Sequence, residues 1–223
     1  MGIATTWPGL DYDADLACRH LTEADPRLGE LIARVGPFTL RPEPTQSLFA
    51  ALLESIVYQQ LSGRAAATIL GRVLALYRPR RFPRPQDIAE TPPERLRAAG
   101  LSNAKTLAVR DLAVRTLDGT VPSMGLVRRM TNDEVVERLI QVRGIGVWTV
   151  EMLLIFRLGR SDVLPLGDLG VRKGFARTFG RRALTNPKAM TRRAERWRPY
   201  RTVASWYLWR ALELEPLTKG ALR

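Results

Sequence analysis

The stretch LIQVRGIGVWTVEMLLIFRLGRSDVLPLGDLGVRKG, residues 139–174, carries the pattern that decides the fold. Its segment VRGIG, residues 142–146, separates two helical patterns, and Asp168 follows at the start of a third. Glycines permit positive φ and let a phosphate approach the backbone closely. The N–H groups of Gly144, Gly146 and their neighbours open the next helix, so its dipole favours an anion there. Because a lone Gly-x-Gly is a weak signal, an ordinary tight turn between helices is the alternative.

The charge balance favours a polyanionic partner. The chain has 223 residues, and its 35 Lys and Arg against 22 Asp and Glu give a formal net charge of +13. Such an excess most simply indicates nucleic acid. Arginine far outnumbers lysine, so part of the excess reflects compositional bias. Apolar residues make up 45% of the chain, which is enough to bury a core in one large domain or two small ones.

The scarcity of cysteine and histidine excludes several kinds of site. Cys18, the single cysteine, cannot form a disulfide framework, a cysteine zinc site or a four-cysteine iron–sulfur cluster. His20, the single histidine, does not suffice for a histidine metal site. No apolar run approaches the roughly 20 residues of a membrane span, and the N-terminus lacks a signal-peptide pattern. We therefore expect a cytoplasmic, nucleoid-associated protein with no iron–sulfur cluster and no membrane partner.

Helical periodicity recurs along the chain, while strand signals are scarce. Prolines at 79, 83 and 85 predict a basic loop. Thr131 with Glu134 predicts a capping box, and Asn186-Pro187 predicts a helix start. Helices are expected over residues 45–61, 65–77, 94–99, 102–117, 133–141, 147–158 and 168–179, and after Pro199 up to about Leu214.

The hairpin resembles the helix-hairpin-helix motif of the DNA glycosylase superfamily that includes endonuclease III. Arg143 stands where the usual Leu-Pro-Gly-Ile/Val-Gly hairpin has proline. Three further stretches are similar to blocks of the alkylpurine branch, the 3-methyladenine-DNA glycosylase II type. These are SIVYQQLSGRAA (55–66), AAGLSNAKTLAVRDLA (98–113) and AERWRPYRTVASWYLWR (194–210). The resemblance covers roughly residues 45–214 and implies a compact form without the N-terminal α/β domain of some members.

The fold class expected from this resemblance and from the periodicity is all-α. Two helical subdomains would enclose an active-site cleft between them. The N-terminal segment, 1–44, would pack with the C-terminal helices. The central helical subdomain, 45–158, would contain the helix-hairpin-helix motif at 132–158. The C-terminal helical subdomain, 159–223, would carry Asp168.

The resemblance places the catalytic aspartate at Asp168, and the chemistry agrees. Cleavage of an N-glycosidic bond builds positive charge on the sugar, and a fixed carboxylate can stabilise that charge or orient the attacking water. Asp168 could instead only cap its helix, although the two roles can coexist. Gly167 stands where some relatives have a second acid, so one carboxylate must suffice. Asp162, the nearest rival carboxylate, is interpreted as a loop residue.

The tryptophan at position 148 indicates an enzyme without lyase activity. Bifunctional relatives carry a lysine two residues after the second hairpin glycine, where it forms a Schiff base with the sugar. Tryptophan at this position cannot be such a nucleophile.

The resemblance also suggests which side chains handle a flipped base. Aromatic faces hold cationic bases well, and the base-pocket candidates are Trp148, Trp209, Tyr58, Gln59, Met152 and Trp206. For the tryptophans, core packing is the alternative. The wedge that fills the vacated stack would be Gln60 with Leu61 beside it, unless these are merely exposed residues at a helix end.

Phosphate contacts are expected around the hairpin and at two other helix starts. The candidates at the hairpin are Arg143, Gly144, Gly146 and Thr149. The others are Ser102, Lys105, Arg172 and Lys173, each of which could instead be a solvated surface group. Backbone carbonyls of Ile140, Val142 and Ile145 could hold a structural Na⁺ or K⁺. No cofactor is required.

These expectations add up to a monofunctional DNA glycosylase that acts as a monomer on double-stranded DNA containing damaged bases. It would flip out and excise alkylated purines such as 3-methyladenine and 7-methylguanine, and so initiate base excision repair. A glycosylase for deaminated or etheno-purines is one alternative. A noncatalytic helix-hairpin-helix DNA-binding protein is the other.

Overall fold

The computed structural model describes residues 10, 12–43, 45, 47–180 and 183–214. Within these residues the regular elements are all helical, which confirms the all-α prediction. No helix in this part of the chain is both long enough and apolar enough to cross a bilayer. The helices are α1 (Ala14–Ala24), α2 (Pro26–Val35), α3 (Leu48–Tyr58), α4 (Gly63–Ala75), α5 (Pro85–Glu90), α6 (Pro93–Ala98), α7 (Asn103–Leu117), α8 (Met124–Val127), α9 (Asn132–Leu139), α10 (Val147–Phe156), α11 (Leu169–Thr178), α12 (Pro187–Ala194) and α13 (Arg201–Ala211).

The chain divides into two compact units. One unit, here the central unit, is continuous and comprises Pro44–Leu153. The other, here the terminal unit, combines Met1–Glu43 with Leu154–Arg223. The division falls inside α10, a few residues before the boundary expected from the sequence at 158.

Local capping signals locate several helix starts. Thr131 and Glu134 form the predicted capping box, because the Thr131 N–H donates to Glu134 Oε2 at 2.6 Å and the Glu134 N–H donates to Thr131 Oγ1 at 3.2 Å. Asn186 Oδ1 accepts the Lys188 N–H at 2.8 Å, with Pro187 in the first turn. Both predictions are confirmed. Such side chains satisfy N–H groups that the helix itself leaves unpaired.

Pro79 and Pro83 lie in a non-helical segment, residues 76–84, as the loop prediction requires, whereas Pro85 begins a short helix that was not predicted. Pro85 is the first residue of α5, a position where its missing N–H is not needed. The Arg84 N–H donates to Asp87 Oδ2 at 2.8 Å, which supports the start of this short helix. A proline can therefore begin a helix as well as end one.

An ion pair with a buried carboxylate joins the N-terminal and C-terminal segments of the terminal unit. Asp25 is fully buried between α1 and α2. Its carboxylate accepts from Arg193 Nε and Nη2, each at 2.7 Å, and from the buried Trp197 indole at 3.1 Å. A buried charge is tolerated only when such partners compensate for its lost hydration.

The environment of Asp25 should make the protein sensitive to acid. Burial raises the pKa of this carboxyl, but the hydrogen bonds from Arg193 and Trp197 outweigh it and hold the pKa below its ordinary value. A depressed carboxyl pKa adds stability above the unfolded-state pKa, and this stability is lost as pH falls through the folded-state pKa. We expect the free energy of unfolding to decrease below about pH 4.

Urea denaturation between pH 3 and pH 7 measures this dependence. Asp25→Asn should cost about 3 kcal/mol at neutral pH and weaken the acid dependence. Asp15→Asn is the matched control, since Asp15 is exposed on α1. An Asp25→Asn variant with the stability and pH profile of the control would contradict the prediction.

Candidate active site

The turn between α9 and α10, residues 140–146, is the predicted helical hairpin and is here named the hairpin turn. Gly144 has φ +80°, which L side chains rarely adopt, so glycine is required there. The Ile145 N–H donates to the Val142 carbonyl at 3.0 Å, and the side chains of Ile145 and Val142 are buried. Gly144 and Gly146 are exposed, which leaves backbone surface available to a ligand.

A carboxylate on α7 anchors the hairpin turn. Asp111 Oδ2 accepts the Arg143 N–H at 2.7 Å. The backbone N–H of Arg143 is thus used inside the protein, while its side chain is exposed. Sequence reasoning missed Asp111, because these residues are 32 positions apart and no local spacing links them.

A cavity of about 500 Å³ lies in the central unit beside the start of α10. Two of its aromatic side chains face solvent in part, with Trp148 49% exposed and Tyr58 37% exposed. Among the residues that the structure describes, none of those lining it is charged, so aromatic faces are the main attraction it offers to a cation. Four predicted pocket residues line it, namely Tyr58, Gln59, Trp148 and Met152. The other lining residues are Ser55, Gln60 and Thr149.

The predicted wedge lies in a short turn after α3, residues 58–61, here named the wedge turn. Gln60 has φ +58° and is exposed. Leu61 is 39% exposed although it is apolar. The turn therefore presents both predicted wedge side chains to solvent.

Lys105, a predicted phosphate contact, lies beside the wedge turn and contacts its backbone. Its Nζ donates to the carbonyls of Val57 and Gln59, both at 2.7 Å. Burial lowers the pKa of Lys105. Ser102, the other candidate on α7, caps the helix by accepting the Lys105 N–H at 3.2 Å.

Asp168, in the terminal unit, is fixed by two hydrogen bonds to one oxygen. Oδ1 accepts the Val171 N–H at 2.8 Å as the N-cap of α11, and accepts the Trp209 indole N–H at 2.8 Å. Trp209 stacks on Phe156 with ring centroids 5.7 Å apart and planes 26° apart. The carboxylate is half-buried. Such a preorganised negative group can stabilise positive charge without rearranging.

Gly170 provides the space in which Trp209 reaches Asp168. A Cβ at this position would lie 2.8 Å from Trp209 Cδ1 and 3.0 Å from both Trp209 Nε1 and Asp168 Oδ1. The 2.8 Å separation is shorter than real Cβ contacts, and the two at 3.0 Å are shorter than most of them. Glycine at 170 is therefore a steric requirement of the Trp209–Asp168 hydrogen bond.

Comparison with known proteins identifies the family. The model of the HhH-GPD superfamily of base excision DNA repair proteins matches residues 53–199. The chain belongs to this superfamily. The match includes the hairpin turn, the wedge turn and Asp168, and it confirms the resemblance stated from the sequence.

Individual members of the HhH-GPD superfamily are similar over most of the chain. DNA-3-methyladenine glycosylase 1 of Schizosaccharomyces pombe is 34% identical over 205 residues, which cover 90% of this chain and 88% of the yeast protein. The structure of Schizosaccharomyces pombe Mag1 in complex with abasic DNA superposes with a TM-score of 0.76 and 34% identity, covering 89% of this chain and 97% of that one. A Bacillus halodurans DNA-3-methyladenine glycosidase gives a TM-score of 0.80 at 32% identity, covering 94% and 91%.

Trp206 is a core residue of this HhH-GPD chain, which does not support its prediction as a pocket residue. It is 6% exposed and packs edge-on against Phe38 and Tyr207, with centroids 4.9 and 4.8 Å away. The periodicity of α13 could not distinguish this tryptophan from Trp209, because apolar residues occur all round this helix and every residue from Thr202 to Leu208 is buried. The alternative interpretation, core packing, describes it.

The remaining charged candidates differ in their surroundings. Lys173 is exposed on α11, and the Nε of Arg172 is buried without a hydrogen-bond partner among the described residues. Asp162 is held in its loop by Arg198 Nη1 at 2.8 Å and Arg201 Nε at 2.6 Å. These ion pairs give Asp162 a structural role.

In the described part of the chain, no group of three or more His, Cys, Asp or Glu side chains could hold a metal ion.

Proposed function

We propose that this protein is a monofunctional DNA glycosylase that excises alkylated purines from double-stranded DNA and initiates base excision repair. The observation that carries the proposal is the fixed carboxylate of Asp168, bonded to the Val171 N–H and the Trp209 indole. The relatives named as 3-methyladenine DNA glycosylases support the choice of substrate. The products would be the free base and an abasic site.

The proposed reaction is hydrolysis at C1′ of the damaged nucleotide. The C1′–N bond breaks, and the base leaves with the bonding electron pair. A purine alkylated at N3 or N7 is cationic, so it leaves as a neutral molecule and needs no general acid. Asp168 stabilises the oxocarbenium ion and orients the water that attacks C1′. The water oxygen forms the new C1′–O bond, and one of its protons is released to solvent, so the positive charge carried by the alkylated base leaves as that proton.

The cavity lining favours a cationic base over a neutral one. Trp148 and Tyr58 offer electron-rich faces, and the remaining lining is uncharged. Neutral lesions such as hypoxanthine or ethenoadenine gain less from such faces. This is the reason to prefer alkylpurines over the alternative of deaminated or etheno-purines.

Trp148 supports the absence of lyase activity in this proposal. It occupies the position, two residues after Gly146, at which bifunctional relatives carry a lysine. Without an amine there, no Schiff base with the sugar forms at this position. Sodium borohydride should therefore trap no covalent complex with DNA.

The proposed grip on DNA uses the hairpin turn and the wedge turn. Exposed N–H groups at Gly144 and Gly146, with the Arg143 side chain, would bind phosphate. Gln60 and Leu61 would fill the space left by the flipped base. Carbonyls of the turn would hold Na⁺ or K⁺, since the Val142 oxygen accepts one N–H and has a second lone pair. The protein would act as a monomer.

A lesion panel with purified protein tests the proposal. Duplexes treated with a methylating agent should release 3-methyladenine and 7-methylguanine, detected by chromatography. Release of hypoxanthine or ethenoadenine alone would favour the alternative glycosylase. DNA binding without release of any base would favour the noncatalytic alternative.

Gly170→Ala should slow base release by about tenfold with little change in KM. The added methyl group displaces the Trp209 indole, and one hydrogen bond to a charged group is lost. Single-turnover kinetics on methylated duplex measures the effect. Gly167→Ala is the matched control, because a Cβ there meets no atom within 4 Å. Equal rates for the two variants would show that the indole bond is dispensable.

A further inference from the structure

The wedge turn has an unfavourable residue at its tip. Gln59 has φ −54° and ψ 131°, Gln60 has φ +58°, and the Leu61 N–H donates to the Tyr58 carbonyl at 3.4 Å. These are features of a type II β-turn, whose third position favours glycine or asparagine. Glutamine there is strained. The wedge turn therefore needs support from outside itself to keep this conformation.

Lys105 supplies this support. The carbonyl of Val57 lies in the last turn of α3, where helical carbonyls lack intrahelical donors, and the carbonyl of Gln59 belongs to the turn itself. The ammonium group of Lys105 donates to both at 2.7 Å. A cation at this position also complements the negative end of the α3 dipole.

The side chain of Gln59 connects the wedge turn to the hairpin turn. Its Nε2 donates to the Gly144 carbonyl at 2.9 Å, across 85 positions of sequence. The same residue thus receives the Lys105 ammonium on its backbone oxygen and holds the hairpin turn with its side chain. All these groups lie within the central unit.

One face of α7 supports both turns. Lys105, Ala108 and Asp111 are three positions apart, a spacing that places side chains along the same side of a helix. Lys105 holds the wedge turn, and Asp111 accepts the Arg143 N–H of the hairpin turn. Between them, the Ala108 Cβ lies 3.3 Å from the position that a Cβ on Gly144 would occupy. A rigid helix thus fixes the spacing of the two turns.

We infer that Lys105 is a positioning residue that, together with Gln59 and Asp111, sets the distance between the wedge residue Gln60 and the hairpin turn. Insertion of Gln60 into the base stack and the grip on phosphate then occur in register along the DNA. The role of this spacing in DNA binding rests on the proposed function. The contacts of Lys105, Gln59 and Asp111 that connect the two turns do not depend on DNA.

Hydrogen exchange measured by mass spectrometry on the free protein tests the support directly. In Lys105→Met, exchange should become about tenfold faster in residues 57–62 and also in the hairpin turn, because charged hydrogen bonds are lost. Lys105→Arg should restore much of the protection. Lys188→Met, which removes an exposed lysine from α12, should match the wild type. Faster exchange confined to residues 57–62 would contradict the coupling of the two turns.

Binding to DNA distinguishes positioning from a direct phosphate contact. A duplex containing a tetrahydrofuran abasic analogue beside 2-aminopurine reports wedge insertion by fluorescence and needs no catalysis. Lys105→Met should lower this fluorescence change by at least about half while leaving the salt dependence of binding unchanged. A salt slope reduced by about one, with normal hydrogen exchange, would instead show that Lys105 binds phosphate.

A second variant protects the test against misfolding. If Lys105→Met fails to fold, Gln59→Leu removes the bond to Gly144 while leaving Lys105 in place, and exchange in the hairpin turn should still increase. Unchanged exchange there would overturn the inference. Since neither exchange nor fluorescence depends on base release, failure of the proposed activity would be seen separately in the lesion panel.

Discussion

Replacing Asp168 with asparagine should lower the rate of base release by at least about 100-fold and leave DNA binding intact. Asparagine still caps α11 well, and its amide oxygen can accept the Val171 and Trp209 N–H groups that Oδ1 accepts now. The fold is therefore retained, while the negative charge that stabilises the oxocarbenium ion is lost. Single-turnover release from methylated duplex measures the rate, and fluorescence anisotropy measures binding.

Asp162→Asn is the matched control for this experiment. It makes the same chemical change at the nearest rival carboxylate, which is committed to Arg198 and Arg201. Its rate per folded molecule should be close to that of the wild type, although its stability should fall. Loss of base release in Asp162→Asn, with normal release in Asp168→Asn, would reverse the catalytic assignment.

Gly174→Ala should strongly destabilise the terminal unit. A Cβ on this residue of α11 would lie only 1.9 Å from the carbonyl oxygen of Leu208 on α13. The Leu208 oxygen is a backbone atom, and a Cβ is fixed directly to the backbone of α11, so neither can turn aside and the two helices must move apart. Overpacking of this kind costs about 3 kcal/mol. For a protein of this size, that cost corresponds to a fall in Tm of roughly 10 °C.

Because Leu208 precedes Trp209, the same substitution should also slow base release in the molecules that remain folded.

Gly71→Ala provides the control for the stability measurement. Gly71 is exposed within α4, and a Cβ there meets no atom within 4 Å. Alanine at 71 should raise the free energy of unfolding by about 0.5–1 kcal/mol, since it restricts the unfolded chain and favours the helix. Thermal unfolding of both variants by circular dichroism measures the contrast, and equal Tm values would refute it.

Features with local causes were predictable from the sequence. The capping box of Thr131 and Glu134, the helix start at Asn186, the hairpin glycine at 144 and the cap at Asp168 each depend on residues within a few positions of one another. Short-range geometry and hydrogen-bonding preferences determine such features. The motif that defines the superfamily is built from these local elements, so the sequence alone indicated the family.

Contacts between distant residues were not predictable in this way. Trp209 meets Asp168 across 41 positions, and Lys105 meets Val57 across 48. Periodicity assigns a residue to a helix face, but it does not say which other helix that face contacts. For this reason the contacts of Lys105 with Val57 and Gln59 were not foreseen, and Trp206, which packs in the core, was predicted to line the pocket.

The terminal unit combines residues that are synthesised early and late during translation. Asp25 is synthesised 168 residues before Arg193, its partner in the buried ion pair. Until α12 leaves the exit tunnel, this carboxylate has no guanidinium to neutralise it, and α1 and α2 lack the neighbours that complete their core. The central unit, by contrast, is encoded without interruption from Pro44 to Leu153. Its helices can therefore assemble on the nascent chain first, while the terminal unit must wait for α12 and α13.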